Sequence, residues 1–190
     1  MTKREVVRLV LEGKKPPYVP WHFGFTVEPY QMLVEHFGGA EALERHLDNH
    51  TLGLGTGILM TQDIGNGRVR DNFGNVWNRS VDKDIGIVEK PALDKPSLKG
   101  YQFPDPLDET IFANLDGHIR RHPDLFRVYH IGFSLFERAW TMRGMENLLM
   151  DFVEHPDFVE ELFTRIADFN IAMVRKAVTY DIDAVYFGDD

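Results

Sequence analysis

The sequence predicts an α/β fold built on parallel strands. Three observations carry that expectation. Two short apolar runs, "LFRVYHIGF" and "DAVYF", have the length and the β-branched, aromatic make-up of buried strands. Between them, from about Pro156 to Tyr180, Val159, Leu162, Phe163, Ile166, Phe169, Met173, Val174 and Ala177 recur at the three/four spacing of one buried helical stripe. An earlier run, "YVPWHFGF", precedes a helical region. Strand, helices, strand, long helix and strand therefore follow in order, as in parallel strands joined by helical crossovers.

From the N-terminus, Thr2 to Glu12 reads as an amphipathic helix. Val6, Val7, Leu9, Val10 and Leu11 supply its apolar residues, Thr2 its cap, and Gly13 follows its end. "KKPP" turns the chain into "YVPWHFGF", the expected first strand, although Pro20 interrupts its ladder. "VEPYQMLVEHFGG" has an early proline and terminal glycines, the asymmetry of a helix, and another helix is expected from Ala40 to Asn49. "GLGTGI" (Gly53 to Ile58) lacks the full GxGxxG spacing and follows a helix instead of a strand. It reads as a helix-to-strand connection and not as a nucleotide-binding turn.

From Ile58 to Lys90 the helical period disappears. "VRDNFGNVWNRSVDKDIGIVEK" reads as a β-meander, with turns at Asn72–Gly74 and near Asp82–Asp84. The proline-punctuated "PALDKPSLKGYQFPDPLD" is a loop. "ETIFANLDGHIRRHP", "SLFERAWTMRG" and "MENLLMDFVEH" read as helices. The expectation is one domain over residues 1–190, with the meander and its loop (about 58–104) inserted.

The chain has 190 residues, enough for one real core, and a formal charge of -9 with no basic face, which argues against a nucleic-acid partner. It has no cysteine, so disulfides and thiolate metal ligands within these residues are excluded. "MTKREVVRLVLEGKKPP" lacks the apolar core of a secretory signal, and no stretch approaches the ~18 apolar residues of a membrane span. A cytoplasmic location, with no membrane or nucleic-acid partner, is expected.

Parallel strands bring residues at their carboxyl ends to a common mouth. Candidate site residues are therefore His22 on the first expected strand, His130 on the second, Glu137 just beyond it, and Asp189 and Asp190 at the end of the third. An imidazole beside a carboxylate gives a proton donor and acceptor tunable near neutral pH. The plainer alternatives are histidines satisfied inside a core and a Glu137 paired on the surface with Arg138 or Arg143. His46 and His50, like His118 and His122, are four apart on expected helices. Neither pair has the glutamate of an HExxH motif, and both lie in charged surroundings, so solvated surface is expected.

In order along nearly the whole chain, "VPWHFGFT", "DNFGNVW", "DKDIGIVEKPALDKPSLKGYQFPDP", "GFSLFERAWTMRGMENLLMDFVEHPDFVEELF" and "DAVYFGDD" resemble the uroporphyrinogen decarboxylase superfamily. The long return after "DIGIVE" is similar to its methyltransferase-like branch, the corrinoid and coenzyme M methyltransferase relatives. The resemblance implies that the α/β chain is the N-terminal portion of a (β/α)8 TIM barrel with an inserted β-meander. It would supply three of the eight strands.

The resemblance further implies methyl transfer between a corrinoid and a thiol or other one-carbon acceptor. Asp189 and Asp190 would orient substrate, Glu137 and His22 would manage protons, and Phe25, Trp140 and His130 would wall the substrate or cofactor cleft. Zinc and a corrinoid belong to complete family members. The family's zinc ligands lie in the second half of its barrel, so no metal ligand carries over and no cofactor is expected within this chain. A small-molecule substrate or a corrinoid protein is the expected partner. An open sheet edge also leads us to expect a homo-oligomer or a complementing chain, with no activity from this piece alone.

Two alternatives stand beside this reading. Tetrapyrrole decarboxylases of the family carry two arginines in the order Trp-Phe-Met-Arg-Gln-Ala-Gly-Arg. Laid on Trp21, those positions fall at Gly24 and Glu28, which loses one carboxylate-binding fork and reverses a charge. The resemblance would lay the decarboxylase aspartate on Asp63. The other alternative is a non-catalytic partner-docking module.

Overall fold

A computed structural model describes residues 1–56 and 61–189. Its elements in chain order are α1 (Lys3–Leu11), α2 (Val27–Phe37), α3 (Ala40–Leu47), β1 (Thr51–Thr56), β2 (Thr61–Gly65), β3 (Arg68–Asp71), β4 (Val76–Asn78) and β5 (Ile87–Lys90). Then come α4 (Leu115–Arg121), β6 (Phe126–Ile131), α5 (Phe136–Arg143), α6 (Met145–Glu154), α7 (Pro156–Ala177) and β7 (Ala184–Phe187). The chain is mixed α/β, with a three-stranded parallel sheet in the order β1-β6-β7 and a four-stranded antiparallel sheet in the order β2-β3-β4-β5. The described residues form no closed barrel. No helix among the described residues is long and apolar enough to cross a membrane.

The residues group into two compact units. The first comprises Met1–Leu54, Asn114–Tyr129 and Asp181–Ala184, and the second Gly55–Ala113, His130–Tyr180 and Val185–Asp190.

In the first unit, α1 starts with a capping box. Thr2 Oγ1 accepts the Glu5 N–H at 3.2 Å, and the Glu5 carboxylate accepts the Thr2 N–H at 2.7 Å. Val6 is fully buried. Helix α2 ends at Gly38 in the left-handed conformation (φ 79), which a glycine adopts without a Cβ clash.

The expected strand "YVPWHFGF" is not a strand, and His22 stands on an exposed irregular stretch. Pro17 and Pro20 have no N–H to give a ladder. A side chain takes the place of a strand partner: Asn49 Oδ1 accepts the Phe23 N–H at 2.8 Å, and Asn49 Nδ2 donates to the Phe23 carbonyl at 3.0 Å. The first parallel strand is instead β1, "TLGLGT", most of which had read as a connection. Gly53 and Gly55 alternate along this strand, and Gly55 takes a positive φ of 83, which a glycine adopts without a Cβ clash. Gly57 and Ile58 of that motif lie outside the described residues.

Helix α4 begins at Leu115, not near Glu109. Asn114 takes a left-handed φ of 64, and the Asp108 carboxylate caps the Thr110 N–H at 2.8 Å, which makes turns of the residues before it.

Ionic contacts tie the three chain segments of this unit together. The Asp183 carboxylate, 2% exposed, accepts from Arg4 Nε (2.8 and 2.9 Å), Arg8 Nη2 (2.5 Å) and the Arg127 N–H (2.9 Å). Arg127, itself buried, donates to the carbonyls of Asp181 (3.2 Å) and Pro123 (3.0 Å) and to the Asp181 carboxylate.

In the second unit the meander is as expected. Its strands pair antiparallel, with Gln62 opposite Arg70, Val69 opposite Trp77 and Trp77 opposite Val88. A turn not expected from the sequence joins β2 to β3 at Asn66-Gly67, both at positive φ (55 and 69), as a two-residue hairpin requires. The meander portion from residue 58 to 60 lies outside the described residues. Helix α7 buries Phe158, Val159, Leu162, Ile166, Phe169, Met173 and Ala177; all but Phe158 belong to the stripe its period foretold, of which Phe163 and Val174 are only half-buried. Phe73, from the β3–β4 turn, packs edge-on against Phe169 at 5.1 Å between centroids.

Asp183 supplies the first prediction. Burial alone would raise its carboxyl pKa, but the Arg127 N–H and the Arg8 and Arg4 guanidinia outweigh that and hold it below the ordinary range. A carboxylate with a depressed folded-state pKa stabilises the fold above its unfolded pKa, and that contribution is lost as pH falls through the folded one. Urea midpoints should therefore fall on acidification below the ordinary carboxylate range, and less steeply in Asp183→Asn. At neutral pH that variant should be destabilised by about 2–3 kcal/mol, less than a fully buried pair because Arg8 is half exposed. Equal stability of variant and parent at pH 7 would contradict this.

Candidate functional site

The carboxyl ends of β6 and β7 meet in the second unit. The Gly188 N–H donates to the Ile131 carbonyl at 3.0 Å, and the Ser134 N–H donates to the Gly188 carbonyl at 3.1 Å. Just beyond, Asp189 turns onto the start of α5. Its Oδ1 accepts the N–H groups of Leu135 (3.1 Å) and Glu137 (2.9 Å), and its Oδ2 that of Phe136 (3.0 Å). Leu135 occupies the cap position and has no side-chain oxygen, so Asp189 provides the cap from the neighbouring strand. A carboxylate at the positive end of a helix is favourable on charge as well as hydrogen bonding.

Asp189 therefore fixes where α5 begins, and with it the positions of Glu137 in the first turn and Arg138 after it. Glu137 is half-buried. His130, on β6, has its ring 5.1 Å from that of Tyr186 on β7. Trp140 is half-buried, with Phe133 at 6.5 Å. Asp189, Glu137, His130 and Trp140 thus share one unit, with a direct contact between Asp189 and the Glu137 backbone. Asp190 lies outside the described residues. His22 and Phe25 are exposed in the first unit, where His22 Nδ1 is 2.8 Å from Thr51 Oγ1.

The paired histidines do not share helical faces. Helix α3 ends at Leu47, and Asp48 reverses the chain in the left-handed conformation. His50 is beyond it and almost fully buried, with Trp21 at 4.3 Å between ring centroids and Tyr18 Oη at 3.3 Å from its Nε2. Burial, followed by the charge of Lys3, holds its pKa below the usual imidazole value. His122 is the C-terminal cap of α4, outside the helix that carries His118.

A buried polar network was not anticipated. Asp71, at the end of β3, is 3% exposed. Its Oδ1 accepts the Asn75 N–H at 2.9 Å, and its Oδ2 accepts Asn75 Nδ2 at 2.9 Å, Trp77 Nε1 at 2.9 Å and Arg138 Nη1 at 3.4 Å. Tyr101 Oη donates to the Phe73 carbonyl at 2.7 Å within the same turn, and burial, then the Asp71 charge, pushes its pKa up. The Arg138 guanidinium lies 4.3 Å from the Phe73 ring centroid. A sequence signal existed: Arg138 stands three residues after Leu135 and four before Met142, an arginine on an apolar helical stripe.

Among the described residues no group of three histidine, aspartate or glutamate side chains is arranged to hold a metal ion, and there is no cysteine. Comparison of this chain with protein-family models, with curated proteins and with solved structures finds no match.

Replacing Asp189 by Ala should cost about 1 kcal/mol, the loss of a helix cap, and should raise amide exchange at Leu135, Phe136 and Glu137. Exchange at these three amides unchanged from the parent would show that the cap does not order the helix start.

Proposed function

We propose that this chain is a uroporphyrinogen decarboxylase-like protein of the corrinoid-dependent methyltransferase type. It would form the N-terminal arc of a (β/α)8 barrel that needs further strands, from another chain or another segment, to act. One observation carries the reading: at the carboxyl ends of two adjacent parallel strands, Asp189 binds the start of α5 and holds Glu137 at the rim. Ligand sites in parallel α/β sheets lie at that end.

In this reading Glu137 handles a proton at the rim and Asp189 is a positioning residue, since its oxygens are engaged by backbone N–H groups. Trp140 and His130 form part of the wall against which a flat cofactor rests. When bound, the corrinoid supplies a transferable methyl group. The residues named here orient it and restrict water.

Titration of methylcobalamin into the chain, followed by visible absorbance, should give a saturable spectral change that Trp140→Ala weakens several-fold. A strictly linear response in both proteins would reject the methyltransferase reading. Porphyrinogen decarboxylation is disfavoured by Gly24 and Glu28, because a polyanionic substrate finds neither arginine there; product analysis with uroporphyrinogen should show no carboxylate loss.

A groove of about 470 Å3 beside β7, lined by Leu135, Ile171, Val174 and Phe187 among others, favours a second reading, that of a non-catalytic docking module. Co-purification of a stable partner without any corrinoid response would support that reading over the first.

A further inference from the structure

Arg138 is 2% exposed, yet its one hydrogen-bond partner among the described residues is Asp71 Oδ2, at 3.4 Å. That oxygen is already taken at 2.9 Å by both Asn75 and Trp77. A guanidinium presents five N–H donors in a planar fork, and burying them without acceptors is costly. Aromatic faces offset part of this: Phe73 lies 4.3 Å and Phe133 5.6 Å from the guanidinium carbon. Neither ring accepts the paired hydrogen bonds that the fork is shaped to give.

The guanidinium borders a cavity of about 10 Å3, shared with Phe73, Gly132, Phe133, Phe169 and Asn170. That is room for about one water. One wall, Phe133, is itself unusual. It follows the end of β6 at a φ of 52, a left-handed conformation disfavoured for a bulky residue. Such outliers concentrate where a ligand or a switch uses them. The position is also the one at which parallel α/β sheets take up ligands, just past a strand's carboxyl end.

We propose that Arg138 anchors a subsite for a small carboxylate, entered when the Phe133 ring swings away from the guanidinium. A carboxylate is planar and offers two oxygens at the spacing of the fork. With the Phe133 ring aside, the Phe73 face stays beside the guanidinium and suits a planar group better than a tetrahedral anion. The charge is available at neutral pH: burial pulls the Arg138 pKa down to about 10 against the opposing influence of Asp71, Tyr101 and Glu137, and no further. The subsite stands whatever reaction the protein performs. It specifies the ligand as one with an exposed carboxylate end.

The experiment follows tryptophan fluorescence of the full chain as sodium acetate replaces sodium chloride at constant ionic strength. Trp77 and Trp140, 5.5 and 6.5 Å from the Phe133 ring, are the reporters. Wild type should respond saturably. Phe133→Gly, which removes the ring and relieves the backbone, should bind acetate about tenfold more tightly, the effect of ~1.4 kcal/mol. Arg138→Lys keeps the charge facing Asp71 but loses the fork, and should bind at least about tenfold more weakly. Acetate acting no differently from chloride in both wild type and Phe133→Gly overturns the proposal. So does an undiminished response in folded Arg138→Lys. Should Arg138→Lys fail to fold by circular dichroism, Phe133→Gly decides: tighter binding supports the subsite, and unchanged affinity rejects it.

Discussion

The buried carboxylate of Asp71 is the constraint on which the second unit depends. Asp71 closes the β3–β4 turn by accepting from Asn75, orients Trp77 through its indole N–H, and neutralises Arg138 on α5. A charge with so little water around it persists only where donors surround it. Asp71 has four, contributed by its own hairpin and by a helix distant in sequence. The inserted meander is thereby tied to α5 through one carboxylate. Aromatic packing of Phe73 on Phe169 closes the same junction. Removing the carboxylate would leave the Arg138 cation buried without an anion, which is worse than losing a single hydrogen bond.

The first unit uses the same device. Asp183 gathers two guanidinia from α1 and a backbone N–H from β6, so three pieces of chain far apart in sequence meet on one acid. In each unit an acid near a strand end acts as a structural pin. Asp189 does so too, on the start of α5. Acidic residues at strand ends are thus not all available for chemistry here. Glu137 is set in position by one of these pins, and Arg138 is paired with another.

Several elements were readable because their signals are local. The capping box of α1, the Pro156 start and apolar stripe of α7, and the Gly38 stop of α2 each depend on residues within a few positions of one another. The meander was readable for the same reason, since its turn residues lie next to the strands they join. The misreadings share a cause as well. "YVPWHFGF" has strand composition, but Pro20 supplies no ladder donor and a distant Asn49 holds the stretch instead. "TLGLGT" looks flexible by composition, but it becomes a strand because β6 lies beside it. Of the candidate site, the places of Asp189 and Glu137 just after strands were legible, whereas the pairing of Asp71 with Arg138 was not, since it spans 67 residues.

The sequence by itself determined the α/β class, the order of the helices and the meander, and that these residues hold no cysteine, because periodicity, turn residues and composition act over short range. Tertiary structure alone decided which run became the first parallel strand, which acids were spent as pins, and that Arg138 would be buried with fewer acceptors than it has donors. Those outcomes turn on which groups meet after the chain has folded, and no local pattern encodes such meetings.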